Sequence, residues 1–185
     1  MWKSLFMVGV LSCSSAPAPA QEPPDLLIRN GEIIDGSGKK AFRADIAIRR
    51  GVIVELGDLR GRKAKELMDA TGLVVAPGFI DAHTHADGIK RNPLKVISLE
   101  EAVRKMTSLP AAQFRFSKRG MIRKGYAADL VLFNRETVSD RAAYGNPHQY
   151  PDGIPIVIVN GVPVLRDGKS TGARPGQILA SSPGR

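Results

Sequence analysis

Short apolar runs separated by glycine-containing turns dominate both ends of the chain. Residues 45–49 alternate polar and apolar side chains, which is the period of a half-buried strand. Residues 73–76 are continuously apolar, which predicts a strand that is buried on both faces. The same pattern predicts further strands over residues 26–30 and 32–35, which lie on either side of Gly31, and over residues 52–56 and 66–69. The strand over residues 66–69 is predicted to lie at an edge of the sheet.

The middle of the chain predicts one clear helix over residues 98–107. Ser98 and Glu101 have the spacing of a capping box, in which each side chain satisfies a backbone N–H of the first turn. Apolar residues recur at helical spacing along the segment and give it one apolar face. Pro110 predicts the end of the helix, because proline cannot continue the hydrogen-bond ladder.

Strand patterns return in the C-terminal part of the chain. Residues 128–133, 155–159 and 162–165 are apolar runs, and Asn160-Gly161 between the last two predicts a tight hairpin turn. Strands at both ends with a helix between them predict an α+β fold built around a small β-sandwich from both chain ends. The length of 185 residues, with 43% hydrophobic and 24% charged residues, fits one domain of ordinary size.

The chain carries a formal net charge of +9. Its basic residues form small scattered pairs, such as Lys118-Arg119 and Arg123-Lys124, and a denser stretch at residues 60–65. No aromatic residues are interleaved with that stretch, as stacking on single-stranded nucleic acid would require. We therefore predict solvated surface charge and no nucleic-acid partner.

Residues 1–20 have the pattern of an export signal. Lys3 precedes a short apolar run at residues 5–11, and Ala18-Pro19-Ala20 fits a signal-peptide cleavage site. Residues 10–13 also resemble a lipobox, in which Cys13 would become a lipid anchor to the membrane. Both interpretations predict an exported protein, periplasmic or extracellular. A third one, an N-terminal helix of the fold, conflicts with the prolines that follow.

Two histidines follow the continuously apolar run. His83 and His85 are two residues apart, so in an extended segment their imidazoles point to the same side. Imidazole is a good ligand for zinc, but a catalytic zinc site normally has three protein ligands. The alternative is a pair of half-exposed strand histidines with no metal.

The surroundings of these histidines resemble a known family. A hydrophobic strand that leads into Gly78-Phe79-Ile80-Asp81-Ala82-His83-Thr84-His85 is similar to the first barrel strand of the amidohydrolase superfamily. Residues 25–93 resemble the N-terminal part of D-aminoacylases (N-acyl-D-amino-acid deacylases), and residues 97–179 resemble the C-terminal part. The C-terminal motifs are residues 98–107, 125–130, 147–151 and 171–176.

This resemblance implies a metal-dependent hydrolase of linear amide C–N bonds. It implies N-acyl amino acids as small-molecule substrates, zinc as the cofactor, and His83 and His85 as metal ligands. The family fold is a (β/α)8 barrel with a β-sandwich made from both chain ends. A barrel alone takes about 250 residues, so most of it is missing here.

The resulting organisation has five parts. These are a signal over 1–20, the N-terminal part of the sandwich over 21–76, a barrel remnant over 77–110, the C-terminal part of the sandwich over 111–179 and a tail over 180–185. The family's other ligands and its late catalytic aspartate have no match here, so we assign no catalytic residue. Asp81 is interpreted as a packing residue or one that orients a ligand, Asp129 as a strand-start residue, and His148 as structural.

Two functions remain open at this stage. One is a deacylase-type amidohydrolase whose ligand set is incomplete, so that its own activity is expected to be low or absent. The other is a non-catalytic sandwich remnant or truncated gene product that acts at most as a binding or oligomerisation module.

Overall fold

The computed structural model describes residues 22–81 and 97–181. Neither helix in these ranges is long and apolar enough to cross a membrane. The predicted export signal, including Cys13, lies outside the described residues and stays a prediction. The strands are β1 (Leu26–Ile33), β2 (Phe42–Arg49), β3 (Val52–Gly57), β4 (Glu66–Asp69), β5 (Val74–Pro77), β6 (Leu130–Phe133), β7 (Ile156–Val159), β8 (Val162–Arg166) and β9 (Lys169–Ser170), and the helices are α1 (Leu99–Met106) and α2 (Ser108–Gln113).

All these strands belong to one open sheet in the order β3-β2-β1-β5-β6-β7-β8-β9, with β4 paired to β1. Strand β1 runs parallel to β4 and β5, and the other pairs are antiparallel. The N-terminal and C-terminal strands meet where β5 pairs with β6. The predicted α+β fold, mainly sheet with strands from both chain ends, is confirmed. The hydrogen bonds connect these strands in one open sheet, whereas a sandwich would have two.

Strand β1 continues through Gly31, where the sequence suggested a break. The register with β2 shifts between Ile28 and Gly31, and Asn30 adopts a left-handed backbone with φ of 62°. The Asn30 N–H donates to Asp45 Oδ1 (3.0 Å), and its side-chain amide donates to Asp69 Oδ1 (2.9 Å). This β-bulge lets β1 pair with β4 along its first half and with β5 near its end.

Strands β5 and β6 are buried on both faces, as predicted for residues 73–76. Alternate side chains point to opposite faces of a sheet. Val75, Leu130 and Leu132 therefore join one hydrophobic cluster, together with side chains of β1, β2, β3 and β7. On the opposite face lies a second cluster, which Val103 of α1 covers; its buried members are Ile34, Val74, Ala76, Val103, Val131 and Phe133.

Two hairpin turns meet across the first cluster. The Ala128 N–H donates to the Gly51 carbonyl of the β2–β3 turn (2.8 Å), and the Ala128 carbonyl accepts from Gly161 N–H of the β7–β8 turn (2.9 Å). Strand β3, at one end of the sheet order, also bonds to the segment before β6 through Ile53 N–H and the Tyr126 carbonyl (2.9 Å). The sheet therefore curls, and its N-terminal edge contacts C-terminal residues.

Helix α1 begins and packs as its sequence predicts. The Ser98 hydroxyl accepts from the Glu101 N–H (3.2 Å), and Ala102 and Val103 are buried. The helix ends at Met106, before Pro110, and α2 then holds Pro110 in its first turn. Proline is compatible with the first turn of a helix because the N–H groups there have no partner within the helix. The helix predicted over residues 98–107 is confirmed, but Pro110 lies in a second helix and does not mark the end of the helical region.

The contact between the two turns can be tested at Gly161. Its φ is 78°, and an added Cβ would lie 2.6 Å from the Gly51 Cα. Gly168, in the β8–β9 turn, has a similar φ of 73° with nothing within 4 Å of an added Cβ. We expect Gly168→Ala to cost about 1–2 kcal/mol for the backbone conformation, and Gly161→Ala to cost at least ~1 kcal/mol more from overpacking.

Urea unfolding of both variants measures this difference. Equal losses would show that the approach of the two turns does not constrain the fold.

Candidate functional site

The predicted metal ligands His83 and His85 lie outside the described residues, so their assignment stays a prediction. The described chain reaches Asp81 on one side of that segment and resumes at Ile97 on the other. The structure does describe the residues that support the two ends of this segment. That support consists of the end of β5, the residues before β6 and the C-terminal end of α1.

Two backbone hydrogen bonds fix the chain as it leaves β5. The Gly78 N–H donates to the Asp129 carbonyl (2.8 Å), and the Ile80 N–H donates to the Met106 carbonyl at the end of α1 (2.9 Å). An added Cβ on Gly78 would lie 3.2 Å from the Asp129 Cβ, so the backbones approach closely here. Residues 78–80 are thus held between β6 and α1.

Asp129 is the centre of a polar network beside this exit. Its Oδ1 accepts from the Asn160 N–H (2.8 Å), and its Oδ2 forms an ion pair with Arg119. Arg119 Nη2 also donates to Asn160 Oδ1 (2.8 Å). The Arg119 and Asp129 side chains are only 14% and 21% exposed, so solvent screens this pair less than a surface pair.

The network extends to the C-terminal segment, because Asn160 Nδ2 donates to the Pro175 carbonyl (2.7 Å). It therefore links four stretches that are distant in sequence: the segment before β6, the exit from β5, the β7–β8 turn and the residues after β9. The interpretation of Asp129 as a strand-start residue fits its position directly before β6.

The sequence-based prediction of solvated charge is wrong for Arg119. Its guanidinium is largely buried in this network, whereas its neighbour Lys118 is exposed. Only the Asn160-Gly161 turn signal pointed to this region. Nothing in the local pattern distinguishes Arg119 from other basic residues, because its partners lie 10 and 41 positions away.

Helix α1 supports the other end of the segment. Arg104 donates to both carboxylate oxygens of Glu101 (2.7 and 2.8 Å). That hydrogen bonding, with the positive charge behind it, holds the pKa of the Glu101 carboxyl below its ordinary value. The fully buried Thr107 hydroxyl donates to the Val103 carbonyl (2.7 Å), and Ser108 Oγ donates to the Gly36 carbonyl (2.6 Å). The C-terminal end of α1 is therefore fixed to its own last turn, and α2, which follows at once, is fixed to the loop after β1.

The described residues do not assemble a metal site by themselves. Residues 22–81 and 97–181 contain no group of three or more His, Cys, Asp or Glu side chains placed to hold a metal ion. His148 lies on an exposed loop between β6 and β7, and its interpretation as a structural residue stays a prediction. Asp81 makes an interaction at the end of the described N-terminal range.

Comparisons with known proteins point to the same family as the sequence motifs. The model of the amidohydrolase family matches residues 89–165. An N-acyl-D-aspartate deacylase of Alcaligenes xylosoxydans xylosoxydans is 52% identical over 87 residues, which cover 46% of this chain and 17% of that protein. A D-aminoacylase of the same organism is 45% identical over 87 residues, which cover 47% of this chain and 18% of that protein.

A solved structure of D-aminoacylase superposes with a TM-score of 0.79, covering 85% of this chain and 100% of the other, at 14% sequence identity. At this identity the likeness concerns the fold alone. The family model and the curated relatives agree with each other, and the solved structure adds a similar fold. The chain thus resembles the amidohydrolase superfamily and, within it, the D-aminoacylase family, as its motifs predict. It spans less than a fifth of the length of the curated relatives it matches.

The Asp129 network generates a stability prediction. Asp129→Asn keeps an acceptor for the Asn160 N–H but leaves the largely buried Arg119 without its carboxylate. We expect a loss of about 1–3 kcal/mol in the free energy of unfolding, the range for a buried polar group that loses its partner.

Asp58→Asn is the matched control, because Asp58 pairs with Arg60 on the exposed surface. Chemical denaturation of both variants at neutral pH checks the comparison. A loss for Asp129→Asn no greater than that for the control would contradict the role assigned to the network.

Proposed function

We propose that this chain derives from a zinc-dependent hydrolase of N-acyl-D-amino acids, with His83 and His85 as metal ligands. The observation that carries the proposal is the 52% identity to an N-acyl-D-aspartate deacylase over 87 residues. A second relative, an N-acyl-D-glutamate deacylase of Alcaligenes xylosoxydans xylosoxydans, is 49% identical over 67 residues. These names support the class of linear amide C–N hydrolysis with a small-molecule substrate.

We further propose that the curled sheet is the small β-domain of the family fold, made from both chain ends. The pairing of β5 with β6 supports this, because it joins an N-terminal strand to a C-terminal one. In this assignment residues 21–76 and 111–179 form the domain. Residues 77–110, with the exit from β5 and helix α1, then correspond to the start and the end of a barrel.

The described residues do not complete a catalytic metal site, because within 22–81 and 97–181 no group of three or more His, Cys, Asp or Glu side chains is placed to hold a metal ion. The whole sequence has three histidines and one cysteine, and Cys13 belongs to the predicted export signal. His148 lies on the exposed loop, which leaves two imidazoles where a catalytic zinc normally has three protein ligands. We therefore derive no catalytic step for this chain and propose that its own deacylase activity is low or absent.

An activity assay tests this proposal. We expect the full chain with added Zn²⁺ to release D-aspartate from N-acetyl-D-aspartate at least ~100-fold more slowly than an intact D-aminoacylase. The loss of outer-shell partners alone already costs 10–100-fold, and here ligands are absent. The double variant His83→Ala/His85→Ala should weaken Zn²⁺ binding in a calorimetric titration, whereas His148→Ala should not.

Turnover comparable to that of the intact enzyme would contradict the incomplete site. Equal Zn²⁺ binding by the double variant and the wild type would contradict the assignment of the two histidines.

A non-catalytic module is the second candidate, and one observation favours it. The buried members of the two hydrophobic clusters lie within residues 22–81 and 97–181. A stable domain of this kind is expected to be monodisperse in sedimentation velocity and to melt cooperatively. Aggregation would instead indicate apolar surface that another part of a larger enzyme normally covers.

A further inference from the structure

An open cleft lies between the loop after β1 and the segment before β6. It has a volume of about 380 Å³, within the range of small-molecule sites. One wall is the loop of Asp35, Ser37 and Lys39, and the other is the segment from Met121 to Lys124. Nothing in the amidohydrolase assignment above gives this cleft a function.

The walls of the cleft are fixed by hydrogen bonds within the protein. The Ile122 N–H donates to the Asp35 carbonyl (3.0 Å) and so connects the two walls directly. Within the loop, the Ser37 N–H donates to Asp35 Oδ1 (2.9 Å), and the Lys39 N–H donates to Ser37 Oγ (3.2 Å). A ligand would therefore meet a preorganised surface, which lowers the entropic cost of binding.

The charge of the cleft is positive. Lys39, Arg123 and Lys124 line it, and none of them forms an ion pair with a carboxylate in the described ranges. Asp35 is the one acidic residue of the lining, and its carboxylate already accepts the Ser37 N–H. Three cations and one carboxylate give a net formal charge of +2.

The remaining lining is apolar. Ile122 is buried at 2% exposure, and Leu56 and Met121 are partly buried beside it. A ligand that uses both features needs a single negative group for the cationic rim and an apolar body for this floor. Arginine favours a planar carboxylate, to which it can donate two parallel hydrogen bonds. Inorganic phosphate, in contrast, has no apolar body to place against this floor.

We propose that this cleft binds a small organic monocarboxylate with a short apolar chain. Free fatty acids and N-acylated amino acids both have this chemistry. The inference is independent of the proposed deacylase site, because each of its residues lies in the described ranges and none is a predicted metal ligand.

Binding of hexanoate to the full chain is measured by NMR titration. The titration extends to millimolar hexanoate, because a ligand of about eight heavy atoms can gain only a weak affinity. We expect saturable shifts at the amides of residues 35–39 and 121–124. Acetate, which lacks the chain, and hexylammonium, which has the opposite charge, should each bind at least about tenfold more weakly, a difference of 1.4 kcal/mol. A titration with N-hexanoyl-glycine in place of hexanoate shows whether the cleft prefers an N-acylated amino acid or a free fatty acid.

A charge-matched pair of variants separates the site from general electrostatic attraction. The triple variant Lys39→Gln/Arg123→Gln/Lys124→Gln should bind hexanoate at least about fivefold more weakly. The control Lys63→Gln/Lys105→Gln/Lys169→Gln removes three exposed cations elsewhere and should stay within about twofold of wild type. Met121→Gln should reduce the preference for hexanoate over acetate, which tests the apolar floor without changing the charge.

Three results would overturn the proposal. They are an equal loss in both triple variants, phosphate or acetate binding as tightly as hexanoate, and the absence of saturable shifts at the lining residues. Melting curves of each variant confirm that it is folded before its affinity is compared.

Discussion

Strand β5 is hydrogen-bonded to β1 on one edge and to β6 on the other, and its side chains enter both hydrophobic clusters. Four residues thus connect strands from the two ends of the chain. Burial on both faces requires apolar side chains at every position, which is why residues 74–76 are Val-Val-Ala. Without this strand, the N-terminal and C-terminal strands would share no central pairing, and the helix would lose part of the surface that it covers.

The residues that follow β5 are also held in place by hydrogen bonds. Gly78 and Ile80 are bonded to β6 and α1, and the Asp129 network fixes the residues just before β6. The described end of β5 is therefore held by the sheet and by α1 together.

The features that could be predicted from sequence are those with a strong local cause. The continuous apolar run predicted β5, the capping box predicted the start of α1, and Asn160-Gly161 predicted the β7–β8 turn. Features that depend on distant partners were missed or misjudged. Gly31 suggested a break because its sequence does not reveal that Asp45 and Asp69 support a bulge at Asn30. Arg119 looked like surface charge because its partners are remote in sequence.

The metal site stays a prediction that rests on a family motif. His-Thr-His has a clear meaning in its sequence context, but metal binding depends on a third ligand whose position no local pattern supplies.

The central claim is that strands from both chain ends form one cooperative unit through β5. Native-state hydrogen exchange tests it by comparing the amide of Ile28 in β1 with that of Leu132 in β6. The account predicts that both amides exchange through the same global unfolding, with equal free energies of opening and equal dependence on denaturant. A distinctly lower opening free energy for the C-terminal strand would show that the two ends form separate units and would contradict the account.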